Sequence, residues 1–186
     1  MDLIIPIRRP DPFDDAAFVF ELKLDGFRGM ADTVKGRMLS KTKNRMTRFE
    51  PLLGTLPEGF IFDGEICALD ETGRPIFADL MSRKREPVYV PFDVLVCEGE
   101  DVRMLPLKER RALLEKVVRR YGLEKTELFF GEGRPLFNAV CRLDLEGIIA
   151  KRLDDVYGPK TKWLKISNPN YSQKEGRGEL FERRYG

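Results

Sequence analysis

The stretch "FVFELKLDGFRG", residues 18–29, sets Lys23 between two acids, Glu21 and Asp25, in a run of alternating character. A period of two puts Phe20, Leu22 and Leu24 on one face and Glu21, Lys23 and Asp25 on the other, with Gly26 ending the run. Such a charged face is either a solvated strand surface or the seat of a reactive amine. A lysine attacks only when neutral, and nearby cations or burial produce that state. Histidine is absent from all 186 residues, which removes every mechanism that needs an imidazole as base, nucleophile or metal ligand. Lysine, carboxylates and a metal ion remain.

Further charged groups sit on strand-like runs that could place them opposite Lys23. "FIFDGEICALD" alternates, with Asp63 and Glu65 on the same face as Ile61 and Cys67, and "ETGRP" then turns the chain. "VYVPFDVLVCEGEDVR" is strongly β-prone, and Pro91 points to an edge or a bulge near Phe92. Ahead of both, residues 34–48 hold six basic residues, Lys35, Arg37, Lys41, Lys43, Arg45 and Arg48, and no acid. That segment reads as a solvated hairpin or as a phosphate-binding surface.

The elements that must carry these groups are mainly strands, with helices inserted and no regular βαβ alternation. "LPLKERRALLEKVVRRYG" predicts a helix with Pro106 in its first turn, an apolar stripe of Leu107, Leu114, Val118 and Tyr121, and Gly122 as cap. Its arginines and lysines read as a solvated face. A second helix is expected over "LFNAVCRLD", then a strand "EGIIAKR" and a last strand "TKWLKIS". A straight strand through "EGIIAK" points Glu146 and Lys151 to opposite faces, so either Gly147 marks a bulge or Glu146 lies just outside the strand.

A hydrophobic content of 42% is enough for a real core, while a net charge of +2 on a chain that is 34% charged leaves any nucleic-acid affinity to local clusters. Cys67, Cys97 and Cys141 are scattered, odd in number and set among apolar residues, which points to buried thiols in a reducing cytoplasm. The opening "MDLIIPIRRP" is too short in apolar residues for a signal peptide, and no stretch has the length of a membrane span.

Taken in order, "KLDGFR" at 23–28, "FDGE" at 62–65, "VPFDVL" at 90–95, "EGIIAK" at 146–151 and "WLK" at 163–165 resemble motifs I, III, IIIa, IV and V of the covalent nucleotidyltransferases, and among these the ATP-dependent DNA ligases. The resemblance implies an α+β adenylation domain of antiparallel β-sheets flanked by helices, with the nucleotide between the sheets. It implies that Lys23 attacks the α-phosphate of ATP to give lysyl-AMP, with AMP passing to a polynucleotide 5′-phosphate for nick sealing. Carried over residue by residue, Glu21 would read the adenine amino group, Arg28 and Glu65 hold the ribose, and Phe92 stack on the base. Lys151 and Lys165 would contact the α-phosphate, and Glu146 would bind Mg²⁺ or Mn²⁺. Asp25 would be a supporting charge. Lys41, Lys43 and Arg45 are the expected contacts to nicked or broken DNA. Other outcomes of the same resemblance are an RNA-end ligase, a GTP-using capping-type enzyme, or a non-catalytic module that binds adenylate or nicked DNA.

Two departures from the family pattern stand out. Motif V usually carries a second lysine two residues after the first, and Ser167 stands there; "SKTKN" at 40–44 replaces the common Ser-Arg-x-Gly, with Ser40 and Lys41 the nearest match. Only 21 residues follow Lys165, too few for an OB-fold barrel. The expected organisation is therefore an adenylation domain over 1–167 and a short tail over 168–186, whose Arg183 and Arg184 either imitate a missing motif VI or are solvated. An OB-fold or DNA-repair protein acting in trans is an expected partner, and the expected setting is cytoplasmic.

Overall fold

The computed structural model describes residues 2–174. Two five-stranded sheets face each other. The first contains β1 (Ile7–Arg8), β2 (Asp14–Leu22), β8 (Phe129–Glu132), β9 (Gly147–Arg152) and β10 (Leu164–Ser167), in the order β1-β10-β9-β2-β8. The second contains β3 (Phe27–Asp32), β4 (Arg37–Ser40), β5 (Ile61–Cys67), β6 (Val88–Cys97) and β7 (Glu100–Asp101), in the order β4-β3-β5-β6-β7. Every ladder is antiparallel except β1 with β10. The helices are α1 (Phe77–Ser82), α2 (Leu107–Tyr121) and α3 (Gly133–Arg142), with 3₁₀ turns over Thr47–Thr55 and Ser172–Lys174.

Strand alternation sorts the side chains into three apolar layers. On β2, Phe18, Phe20 and Leu22 join Leu136 and Val140 of α3 with Ile148 and Ala150 of β9 on the outside of the first sheet. Phe62 and Ile66 of β5 pack with Leu114, Val117 and Val118 of α2 on the outside of the second. Between the sheets lie Met30, Leu39, Leu95, Tyr157 and Trp163, against which Phe92 and Ile149 pack. Each such large side chain contributes about 1.5–3 kcal/mol by leaving water. Because strand neighbours directly opposite share a face, the pairs Glu21↔Ile149, Val19↔Lys151 and Lys165↔Ile149 turn Glu21, Lys151 and Lys165 toward the inter-sheet layer. Arg28↔Glu65 does the same from the second sheet.

The helix α2 spans the predicted stretch and ends on Gly122 at φ 65°. Its buried face is Leu107, Arg110, Leu114, Val117 and Val118, while Tyr121 is exposed, so the expected stripe shifts by part of a turn. The arginines of this helix are not all solvated: Arg110 is fully buried and forms a two-pronged pair with Asp93 at 2.9 Å on each arm. A buried cation at a core position survives only with such a partner. Of the three cysteines, only Cys67 is buried; Cys141 is exposed because α3 turns it away from the sheet. Among the described residues no helix is long and apolar enough to cross a membrane. Arg183 and Arg184 lie outside the described residues.

Candidate active site

A cavity of about 460 Å³ opens between the sheets, lined by Glu21, Lys23, Arg28, Lys41, Glu65, Phe92, Lys151, Trp163 and Lys165 among others. Lys23 stands one residue past β2, its backbone N–H donating to the Gly147 carbonyl at 2.9 Å, and its ammonium forms an ion pair with Glu146. Glu146 precedes the first residue of β9 and so lies outside the strand, the second of the two readings that its spacing allowed. Gly147 has φ 154°, and a Cβ there would meet the Ile166 carbonyl oxygen at 2.3 Å. After Lys23, Gly26 lets the chain run against β5, where a Cβ would come within 2.1 Å of the Ile66 carbonyl oxygen.

Phe92 sits at a break in the β5–β6 register, where Asp63 pairs with Asp93 but the next residue, Gly64, pairs with Pro91. The bulge announced by Pro91 leaves Phe92 unopposed and aims it into the cavity. It meets Trp163 edge to face at 5.8 Å between centroids. Around this pair lie two cations: the Lys151 ammonium at 4.3 Å from Phe92 and 4.1 Å from Trp163, and the Arg28 guanidinium at 5.6 and 5.3 Å. Lys151 is buried and pairs with Glu21. Burial pushes its ammonium below the usual lysine value, against the pull of Glu21.

Glu21 is held from three sides. Besides Lys151, Thr126 donates to Oε2 at 2.9 Å and Arg111 at 3.4 Å, and Arg111 also donates to the Phe92 carbonyl. Arg28 grips Asp63 with two hydrogen bonds of 2.9 and 2.6 Å and the Ile4 carbonyl with another of 2.5 Å, while Tyr157 donates to the same Asp63 at 2.7 Å. Lys165 lines the cavity; Ser167, two residues on, is exposed and absent from its lining, so strand alternation gives it the right face at the wrong depth. Of the expected DNA contacts, Lys41 lines the cavity mouth, whereas Lys43 pairs with Asp2 at 2.5 Å and Arg45 with Glu50 at 2.5 Å. Exposed pairs of this kind are worth little and exchange easily.

Sequence reading missed Arg111, Thr126, Trp163 and Tyr157 as parts of this site, the tie of Asp63 to Arg28, and the buried Arg110–Asp93 pair outside the cavity. The Arg110–Asp93 pair left a signal: Arg110 falls on the stripe spacing Leu107, Arg110, Leu114, and Asp93 interrupts an apolar strand. Each is a charge that requires a partner.

Glu65 lines the cavity, and burial first, then Glu146 and Asp63, push its carboxyl up to about 8 despite Lys23 and Arg28. The fold thus keeps a proton that the unfolded chain releases near the ordinary carboxylate value. Stability from this group is full below that value and is lost as pH rises through about 8. Without nucleotide or divalent cation, the melting temperature of Glu65→Gln is expected to exceed that of wild type at pH 8.5 and to vary less from pH 5 to 8.5. Parallel curves for the two proteins would remove Glu65 as the source. Glu65 and Glu146 are hard oxygen donors within electrostatic reach of Lys23, and among the described residues no group of three or more metal-ligating side chains gathers. That set fits Mg²⁺ or Mn²⁺ bound through one or two carboxylates, with phosphate and water completing the shell.

Residues 10–167 match the family model described as ATP dependent DNA ligase domain. The multifunctional non-homologous end joining protein LigD of Pseudomonas aeruginosa is 36% identical over 168 residues, covering 80% of this chain and 20% of that protein. The SPbeta prophage-derived DNA ligase-like protein LigB of Bacillus subtilis is 29% identical over 181 residues, covering 88% of this chain and 66% of the relative. A structure of mycobacterial DNA ligase D complexed with ATP and MES superposes with a TM-score of 0.77 at 27% identity, over 89% of this chain and 60% of that one. The chain therefore spans between a fifth and two thirds of the length of these curated relatives.

Proposed function

Because the chain belongs to the ATP-dependent DNA ligase domain family, we propose that it forms lysyl-AMP on Lys23 and passes the AMP to the 5′-phosphate of nicked or broken DNA, which a 3′-hydroxyl then seals. The observation that carries this reading is the Lys23–Glu146 pair at a cavity between two sheets, with an aromatic pair and Glu21 lining the same space. The Lys23 nitrogen attacks the α-phosphorus and pyrophosphate leaves with the electrons of the broken P–O bond. Glu146 orients the nitrogen and offers an acceptor for the proton it must lose. Lys165 faces the charge that builds on the phosphate, where fixed cations act most strongly. A magnesium or manganese ion bound at Glu146 would supply further charge compensation for the phosphates.

Glu21 and Lys151 together present an acceptor beside a donor, the pattern that meets the amino group and a neighbouring ring nitrogen of adenine. Lys151 is thus assigned to the base, while Lys165 keeps the α-phosphate. Arg28, tied to Asp63, and Glu65 take the ribose, and Phe92 takes the face of the base. Cytoplasmic DNA repair is the setting proposed for this chemistry, with any OB-fold or repair protein joining in trans.

The test is incubation with ATP labelled at the α- or the γ-phosphate, followed by denaturing electrophoresis. Only the α-label is expected to stay on the protein, and acid or hydroxylamine should release it, as a phosphoramide requires. Retention of neither label, with ATP still bound, would replace the catalytic reading by a binding module. The DNA side has its own expected result: neutralising Lys41, Lys43 and Arg45 together lowers the salt slope of nicked-DNA binding by about 0.9 per lost phosphate contact. Labelling at Lys23 should stay nearly unchanged. An unaltered slope returns the segment to a solvated turn.

A further inference from the structure

Lys23 and Glu146 both stand just beyond the ends of strands, where no ladder fixes their side chains. The segment after β10 supplies what the ladders do not. Asn168 is buried; its backbone N–H donates to the Glu146 carbonyl at 2.9 Å and its side-chain amide to the Leu145 carbonyl at 3.0 Å. Three residues on, the buried Tyr171 hydroxyl donates to Asp25 at 2.7 Å, inside the loop that carries Lys23. Ser172 then binds Asp144 through its backbone N–H at 2.8 Å and through its hydroxyl, and Gln173 accepts from the Phe77 N–H at 3.2 Å and donates to the Pro75 carbonyl at 3.3 Å. One short strap is therefore bonded to the amine's loop, to the carboxylate's loop and to the start of α1.

We propose that the strap Asn168–Gln173 is a positioning element that sets the Lys23 amine against Glu146, with Tyr171 as the residue that holds the Lys23 loop through Asp25. The assignment rests on the proposed role of Lys23. Asp25 is buried, so its carboxylate must be satisfied by donors within the fold, and the Tyr171 hydroxyl is one of them. A hydrogen bond to a buried charge is among the stronger single contacts in a protein. Loss of it releases the loop without touching the cavity wall, since neither Tyr171 nor Asp25 lines the cavity. Misplacement of a reacting nitrogen by about 1 Å is enough to cost on the order of 100-fold in rate.

Tyr171→Phe in the full chain is the test, because it removes one hydroxyl and keeps the ring. At saturating ATP its single-turnover rate of labelling from α-labelled ATP should fall on the order of 10- to 100-fold, while the half-saturating ATP concentration moves less than about twofold. Amide exchange over residues 22–26 in the ligand-free protein should quicken, with exchange in β5 unchanged. A variant that labels at the wild-type rate, or whose loop exchanges no faster, overturns the strap and leaves the proposed reaction standing. A wild-type protein that never labels Lys23 sinks both. A drop in melting temperature with an unchanged labelling rate assigns Tyr171 to stability alone and also overturns the proposal.

Discussion

Lys23→Ala protein, mixed with α-labelled ATP and a divalent cation, is expected to carry no label after denaturation, and Lys23→Arg is expected to do no better. The second variant is the sharper test. It keeps a cation opposite Glu146 and so preserves the ion pair that orients the side chain. A guanidinium, however, stays protonated and offers no lone pair to phosphorus. If the charge at this position merely bound phosphate, arginine would restore labelling on some other residue. If the nitrogen is the nucleophile, both variants fall to the detection floor, since removing the nucleophile of a covalent catalyst costs on the order of 10⁶ in rate. A nick already bearing a 5′-adenylate should still be sealed by Lys23→Ala, because the last step needs alignment of the 3′-hydroxyl and no amine. Equal labelling of wild type and both variants would end the case for Lys23.

ATP should be preferred over GTP by a factor on the order of 10⁴, and the preference should depend on Glu21. An ionised carboxylate offers about four acceptor sites and no donor. Lys151, Thr126 and Arg111 occupy three, which leaves one, on a residue that lines the cavity. Adenine presents an amino group there, whereas guanine presents a carbonyl oxygen and confronts a buried acceptor with another acceptor. Glu21→Gln replaces one oxygen with a donating amide, so GTP labelling should rise and the ATP:GTP ratio should narrow by about 10- to 100-fold. Truncation to alanine is a poorer experiment. It would strand Lys151 as an unpaired buried cation, at a cost of about 3–5 kcal/mol that could unfold the site. Equal labelling of wild type by the two nucleotides would take Glu21 away from the base.

Strand content, the long helix and the charged face of β2 were legible because each is a local pattern: a period of two, a stripe with a glycine cap, a lysine between acids. Phe92 was legible through its neighbour, since Pro91 breaks the β5 ladder and the register shift follows. What sequence could not give was reach. Alternation assigns Lys165 and Ser167 to one face but says nothing of where the cavity ends, and only the first lines it. Lys151 has the right face for a phosphate contact, but its pairing with a buried carboxylate 130 residues earlier in the chain follows from no local pattern. Arg110 and Arg111 look alike in a run of charges, and their partners Asp93, Glu21 and the Phe92 carbonyl come from other strands. Partner choice across 17 to 90 residues of chain is a tertiary fact.

The two sheets differ in how the chain reaches them. All five strands of the second fall within residues 27–101 and, apart from the β3–β5 ladder, pair with strands consecutive in the chain, whereas the first joins residues 7–22 to residues 129–167. Sequence separation slows folding, because loop-closure entropy must be met before distant contacts reward it. The second sheet with α2 is therefore expected to form early, as a scaffold complete on its own, and the first to close around it last. During synthesis β2, which leads directly into Lys23, leaves the ribosome long before its partners β8 and β9 exist. A nascent chain halted before Glu146 is exposed has Lys23 without its carboxylate partner and Phe92 without Trp163. It should be inert toward ATP, so that reactivity arises only when the last-made strands complete the sheet.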